Sequence, residues 1–400
     1  MWGVTLRKFE ILSIASKEVP FYKSNEYINC AKLHTEDSFL SLPVIDKSIL
    51  RDNYENFLHP KRLQKKGQFY KTTGTTGIPL SFYWEAGEYI ASNFSTWNWR
   101  RKYYRIFPAD KYCTFHYPIT ERQSDDTILK NDRIISLERR IFNEETLQKY
   151  VNAINDFKPA WILAPMSCLL LLGKFLADTK NRIQSLRYIE LNGEYTEHEA
   201  YKQISDYFSV PVGELYGSTE CNGMAIRCKK GVFHVLSDNV FLETTLQGDV
   251  LVTSLTNTYM PLIRYQTGDL GQVKYATCNC AHEGMILLLK RGRKAELIPL
   301  PTGGFLDLSI FCSLVTEIQL ETESVLSFYV QVNKVDILLV ILVKNDSQKF
   351  VALYKYHYLL KLKSLLGIGL SVDIKLETNP EVFFNNKTKH KYVSVFEDVV

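Results

Sequence analysis

Apolar residues recur along the chain with two periods, and the changes of period outline its architecture. In LPVIDKSILRDNYENFL, Ile49, Leu50, Tyr54 and Phe57 follow Asp46 at helical spacing, which predicts a capped helix. The apolar stretch LSFYW then reads as a strand, and AGEYIASNFSTWNWRRKYY as one long helix. From Lys111 to Asp249 short apolar strands (YCTFHYP, WILAP, LRYIELNGE, PVGELYG) alternate with amphipathic stretches such as NEETLQKYVNAINDF and TEHEAYKQISDYF. That alternation predicts an α/β architecture around a mostly parallel sheet.

After about residue 230 the texture changes. VFHVLSDNVFLETTLQGDVLVTSLT alternates with period two, as antiparallel strands joined at Gly248-Asp249 would. Beyond about Lys294 the order reads strand, strand, helix, strand: VLSFYVQV, VDILLVILV, KFVALYKYHYLLKLKSLLG and LSVDIKLE. That is a small α+β unit, with its boundary in LLLKRGRKAEL. No internal repeat or low-complexity segment appears.

Length and charge narrow the function. At 400 residues the chain exceeds one ordinary core, so two or three packed units are expected. A net charge of +4 gives no support for a nucleic-acid partner. The basic stretch HPKRLQKKGQ reads as a solvated loop. At the N-terminus Arg7, Lys8 and Glu10 interrupt the apolar residues, so no signal peptide is expected. The apolar runs CLLLLGKFLA and VDILLVILV are too short to span a bilayer, and a cytoplasmic location is expected. The eight cysteines are then thiols or metal ligands rather than disulfides.

Four stretches offer chemistry. In YKTTGTTGIPLSFYW, Thr72, Thr73, Thr75 and Thr76 surround Gly74 and Gly77 just before a strand. Hydroxyls and backbone N–H groups in such a loop can converge on phosphate, although a plain turn fits equally well. It is no Walker loop, since Ile78 stands where a lysine is needed. In GELYGSTECNGM, Tyr216 ends a strand, Gly217, Ser218 and Thr219 turn, and Glu220 lies past the strand's carboxyl end. Ligands bind at that edge of open α/β sheets, and a carboxylate there can hold Mg²⁺; a capping turn is the plainer alternative. In MPLIRYQTGDLG, Asp269 sits in a Gly-Asp turn and can accept from vicinal ribose hydroxyls. In LKRGRKAE, Arg291 and Arg293 flank Gly292. Separately, Cys278-Asn-Cys280 puts two thiols on one face of an extended chain. With Cys228 and His234 they make the Cys₃His set of a structural zinc site, for which Cys221 is an alternative thiol.

In this order and spacing, the threonine loop, Asn192-Gly193-Glu194, Tyr216 to Glu220, Arg264 to Leu270 and Gly292-Arg293 resemble the motif series of the adenylate-forming, acyl-CoA synthetase-like superfamily. LPVIDKSILRDN, KPAWILAPMSCLLLL and MPLIRYQTGDLG are similar to its phenylacetate-CoA ligase branch, especially the CapK-type capsular-polysaccharide proteins. The likeness runs from about residue 40 to the C-terminus. It implies an AMP-binding adenylation domain over 1–293 and a small mobile α+β lid over 294–400. The large domain would combine a mostly parallel sheet with a β-barrel-like part.

The implied activity is formation of an acyl-adenylate from ATP and a small-molecule carboxylic acid, with release of pyrophosphate. The acyl group then passes to an acceptor: coenzyme A first, otherwise a sugar amine or hydroxyl. A nucleotide-binding protein without turnover is the third reading. By resemblance, residues 72–77 wrap the β- and γ-phosphates, and Gly193 and Glu194 border adenine, on which Tyr216 stacks. Glu220 holds Mg²⁺ with Thr76 nearby, and Asp269 binds the ribose assisted by Arg293. The catalytic lysine falls in NNKTKHKYVSV at Lys389, with Lys387 and Lys391 as rivals. His116 and Tyr117 stand where the family lines its acid pocket. A Cys-x-Cys after the TGD turn is common in phenylacetate-CoA ligase-like sequences, in keeping with the structural Zn²⁺. Two departures stand out: Ile78 replaces a usual cation, and Ala295-Glu296 stands where the hinge usually has aspartates. The acid and the oligomeric state stay open, a homodimer included.

Overall fold

A computed structural model describes residues 2–72, 80–116, 127–139, 141–194, 198–280, 282–291, 297–299, 305–307, 325–332, 336–343, 355–363, 371–379 and 393–395, with helical positions 311, 314, 315 and 318. The chain opens with helices α1 (Trp2–Glu18), α2 (Asn25–Leu33), α3 (Glu36–Leu40) and α4 (Lys47–Asp52). The expected cap of α4 is present: Asp46 Oδ1 accepts from the N–H groups of Ser48 and Ile49, both at 2.8 Å. A two-stranded ribbon follows, β1 (Gly67–Lys71) against β2 (Ser81–Glu85), flanking residues 73–79.

The one long helix expected after β2 is three pieces: α5 (Ala86–Ser92), α6 (Phe94–Trp99) and a π-helical turn at Arg100–Tyr104. A buried polar cluster lies at this break. Arg100 is 5% exposed, pairs with the fully buried Glu190, and its guanidinium lies over the rings of Trp97 and Trp161. A helical repeat set only by apolar residues does not anticipate an arginine that must reach an acid across the core.

The body is one twelve-stranded sheet. Its parallel half holds β3 (Tyr112–His116), β5 (Ile134–Glu138), β7 (Trp161–Ala164), β8 (Tyr188–Asn192) and β9 (Val212–Ser218), with β4 (Ile128–Lys130) as an antiparallel edge. Helices α7 (Glu144–Phe157), α8 (Met166–Thr179) and α9 (His198–Phe208) connect these strands. On α7, Leu147, Tyr150, Val151 and Ile154 form the buried stripe, and Asn143 caps the first turn by accepting from Thr146 N at 2.8 Å.

The antiparallel half comprises β10 (Asn222–Arg227), β11 (Phe233–Val235), β12 (Val240–Thr244), β13 (Asp249–Ser254), β14 (Tyr265–Cys278) and β15 (His282–Arg291). It was expected as a barrel-like part; it is continuous with the parallel half through the β9–β10 hairpin. Gly248, at φ +90°, makes the expected turn before β13. A three-stranded sheet joins β6 (Ile141–Phe142), β16 (Leu297–Pro299) and β17 (Phe305–Asp307), so strands on both sides of the expected boundary at 293 pair together.

Further on, β18 (Val325–Val332), β19 (Asp336–Val343), β20 (Ser371–Glu377) and β21 (Val393–Val395) form a four-stranded sheet ordered β20-β19-β18-β21. The helix over 355–363 lies between β19 and β20 in the chain, giving the expected strand-strand-helix-strand order. Phe311, Leu314, Phe328, Leu339, Tyr358 and Ile374 belong to a hydrophobic cluster of their own. Among the described residues no helix is long and apolar enough to cross a membrane.

Candidate functional site

The carboxyl ends of the five parallel strands gather the site. Residues directly after β3, β5, β7, β8 and β9 lie on one rim of the sheet because parallel strands end on the same side. His116 ends β3, Arg139 follows β5, Ser167 lies in the first turn of α8 just after β7, Gly193 and Glu194 follow β8, and Thr219 and Glu220 follow β9.

Glu220 sits in the three-residue turn between β9 and β10, where Ser218 pairs with Asn222. It is 5% exposed, and its carboxylate has no hydrogen-bond or ion-pair partner among the described residues. Gly217 is required by the hairpin's closeness: a Cβ there would lie 2.6 Å from the backbone oxygen of Asn222.

Three residues before that turn, the Tyr216 hydroxyl donates to Asp269 Oδ2 at 2.8 Å. Burial, then the Asp269 charge, raise the Tyr216 pKa well above its ordinary value, so the phenol remains a donor at neutral pH. Asp269 is not in the predicted turn. It lies inside the long strand β14, at an irregularity where the β13–β14 register shifts. Gly268 takes φ +87°, a left-handed conformation suited to glycine, and re-aims the next side chain. The Asp269 N–H donates to Thr267 Oγ1 at 3.1 Å.

Glu194 has both carboxylate oxygens engaged. Oε1 accepts from Arg139 Nη2 at 3.0 Å and from the Ser167 hydroxyl at 2.9 Å, while Oε2 accepts from Ser167 N at 2.9 Å. Helix α8 starts from Pro165, which has no capping side chain, so Glu194 supplies the missing cap from the neighbouring strand. Gly193, at φ +78°, makes the bend that turns Glu194 back towards α8. His116 is half-buried, with Nδ1 2.9 Å from Ser136 Oγ, and its carbonyl accepts from Arg139 N at 2.7 Å.

Thr72 closes the base of the threonine segment: its N–H donates to Leu80 O at 2.9 Å, and its Oγ1 accepts from Leu80 N at 3.0 Å. Thr73, Gly74, Thr75, Thr76, Gly77, Tyr117, Arg293 and Lys389 lie outside the described residues.

The cysteine set converges elsewhere in the sheet, where two hairpin turns meet. One ligand atom each from Cys228, His234, Cys278 and Cys280 all lie within 4.8 Å of one another. Cys228 Sγ is 3.9 Å from Cys278 Sγ, and Cys280 Sγ is 3.3 Å from His234 Nε2. Two thiolates bonded to one tetrahedral zinc at about 2.3 Å would stand roughly 3.8 Å apart, so the donor set fits that ion. Cys228 lies in the β10–β11 turn, and Cys278 and Cys280 lie at the β14–β15 turn. Strands β11 and β15 pair, which brings the two turns side by side. Burial, and then neighbouring His282, push His234 down to about 4, so its ring is neutral and able to ligate. The alternative thiol, Cys221, is buried beside Glu220 in the β9–β10 turn and lies outside this cluster.

Sequence reasoning missed Arg139, Ser167 and Trp84. Arg139 lies in ISLERRIF, which matches no motif, and Ser167 stands two residues after Pro165 at an ordinary helix start. Trp84 reads as one more apolar strand residue, yet its indole N–H donates to Thr219 O at 3.1 Å.

The fold is similar to that of solved acyl-CoA ligases. A crystal structure of 2-hydroxyisobutyryl-CoA ligase, in complex with 2-HIB-AMP and CoA in the thioesterification state, matches 99% of this chain and 90% of its own at TM-score 0.62 and 15% identity. The same ligase in its postadenylation state matches 99% and 89% at TM-score 0.58 and 14% identity. In sequence, the chain is 30% identical over 155 aligned residues to the phenylacetate-coenzyme A ligase of Thermus thermophilus. That match spans 33% of this chain and 34% of the ligase, about a third of each. No protein-family model matches the chain.

Proposed function

We propose that the protein activates a carboxylic acid with ATP and passes the acyl group to a thiol. Glu220 carries this reading: a buried carboxylate, unpartnered among the described residues, beside the strand whose Tyr216 is bonded to Asp269. A carboxylate oxygen of the acid attacks the α-phosphorus of ATP, the bond from that phosphorus to the pyrophosphate oxygen breaks, and an acyl-adenylate forms. A thiolate then attacks the acyl carbon, AMP leaves with the bonding electron pair, and the thiol proton passes to solvent. Both steps bring anions together, so the protein's part is positioning and charge neutralisation.

Thr72, with the threonines and glycines up to Gly77, would receive the β- and γ-phosphates. Gly193 and Glu194 would edge the adenine, Tyr216 would stack on it, and Asp269 with Arg293 would hold the ribose. Glu220 would hold Mg²⁺, which when bound offsets phosphate charge. Lys389 would approach the reacting carboxylate from a C-terminal lid that carries β18, β19, β20 and β21, closing on a body that keeps the β6–β16–β17 sheet. His116 and Tyr117 would border the acid. Coenzyme A as acceptor is supported by the names of the similar ligases. Cys228, His234, Cys278 and Cys280 would hold a structural zinc that fastens two hairpins.

The test is pyrophosphate release with ATP, Mg²⁺ and a panel of aryl, fatty, hydroxy and amino acids, with coenzyme A, with an amino sugar, or with neither. Release with one acid class and turnover with coenzyme A is the expected result. Release that turns over only with the amino sugar replaces the thioester step by amide formation. ATP binding without release from any acid refutes the adenylation reading.

A further inference from the structure

The ribbon of β1 and β2 forms its own two-stranded sheet, apart from the twelve-stranded body. Something else must set its position against the Glu220 turn. Two sets of bonds from β2 do so. Tyr83 accepts from Asn257 Nδ2 at 2.9 Å through its carbonyl, and its N–H meets Met260 Sδ at 3.3 Å. These bonds fix β2 to the segment that leads into β14 and Asp269. The next residue, Trp84, is 1% exposed and donates its indole N–H to the carbonyl of Thr219 at 3.1 Å. That carbonyl belongs to the peptide unit joining Thr219 to Glu220.

The indole is itself held. Its ring meets Tyr89 edge-on at 5.9 Å, and Tyr89 stacks on Tyr70 of β1 at 4.7 Å and 6°. Trp84 is therefore braced by both strands that flank residues 73–79. Burial makes the bond specific, because a buried N–H without this acceptor would be left unsatisfied.

We propose that Trp84 is a positioning residue whose indole N–H orients the Thr219–Glu220 peptide and keeps the Glu220 carboxylate in register with the strands flanking the threonine segment. The proposal rests on the adenylation reading for its consequence in catalysis, while the mechanical link stands on the geometry alone. A carboxylate that must meet phosphate oxygens through a shared cation works only if both sides are held to within a fraction of an ångström.

The test compares wild type, Trp84→Phe and Phe82→Leu in the full chain. Trp84→Phe keeps a ring and deletes the N–H. Phe82→Leu thins the core of the same strand, at a side chain with no polar contact. Two readouts are taken. Hydrogen exchange at residues 218–222 is measured without nucleotide, and the Mg²⁺ dependence of pyrophosphate release is measured with ATP and the acid identified above. Trp84→Phe is expected to speed exchange at 218–222 by about three- to tenfold, the loss of one buried hydrogen bond. It is also expected to raise the half-saturating Mg²⁺ concentration by a similar factor. Phe82→Leu lowers the melting temperature and leaves both readouts at their wild-type values. Equal exchange at 218–222 in wild type and Trp84→Phe overturns the link. Faster exchange with unchanged Mg²⁺ dependence in an active enzyme overturns the positioning role. A wild type that releases no pyrophosphate refutes the adenylation reading and with it the catalytic consequence, and the exchange comparison still decides the link.

Discussion

Deleting one oxygen, in Tyr216→Phe, separates two jobs that the proposed site gives to one residue. The ring would stack on adenine, and the hydroxyl holds Asp269 Oδ2 at 2.8 Å. The variant keeps the ring and loses the bond. A hydrogen bond to a charged group is worth about 1.5–3 kcal/mol, and the half-buried position of Asp269 favours the lower end. About 1.4 kcal/mol corresponds to a tenfold change in an equilibrium constant. ATP affinity is therefore expected to fall roughly tenfold, through an Asp269 no longer oriented for ribose hydroxyls. The assay is titration calorimetry with ATP and Mg²⁺, with Tyr216→Ala alongside. Tyr216→Ala should lose the hydroxyl's share and the stacking as well, and bind more weakly still. Wild-type affinity in Tyr216→Phe would show that the bond does not orient Asp269 for nucleotide. Equal affinities in Tyr216→Phe and Tyr216→Ala would show that the ring does not touch the base.

Glu220→Gln should keep the fold and reduce pyrophosphate release by about a hundredfold or more, the scale of losing a principal charge-stabilising group; near-wild-type release would remove the metal role. Cys278→Ser should lower bound zinc, read by elemental analysis of the purified protein, and lower the melting temperature, and an unchanged metal content would refute the Cys₃His centre. Arg139→Met removes one cation from the buried Glu194 carboxylate. Breaking one side of a buried pair costs about 3–5 kcal/mol, so denaturant unfolding should shift by that order. Glu194→Gln, which can still cap α8, should cost less than Arg139→Met.

The parallel half of the sheet was legible because its strands are short apolar runs separated by amphipathic helices, and little else produces that alternation. Asp46 and its helix were legible for the same kind of reason, since capping is local in sequence. The Cys₃His set could be assembled from thiol spacing and one histidine, and the β11–β15 pairing brings those residues together. The misses share a cause. The interruption of the expected helix at Arg100 depends on Glu190, ninety positions away. The role of Arg139 depends on a carboxylate from another strand. The placement of Asp269 within a strand depends on a register shift between β13 and β14. Periodicity reports which face of an element is buried, and it carries no information on which distant polar group an isolated arginine will meet.

Strand β9 closes the parallel half and opens the antiparallel half, so it is paired on both sides. Its pleat puts Glu214, Tyr216 and Ser218 on one face and Leu215 and Gly217 on the other. A single inserted or deleted residue before Tyr216 would turn the aromatic ring to the opposite face of the sheet. It would also shift the Glu220 turn against its neighbours. In a lineage of related chains, this segment should therefore change by substitution and hardly ever by insertion or deletion.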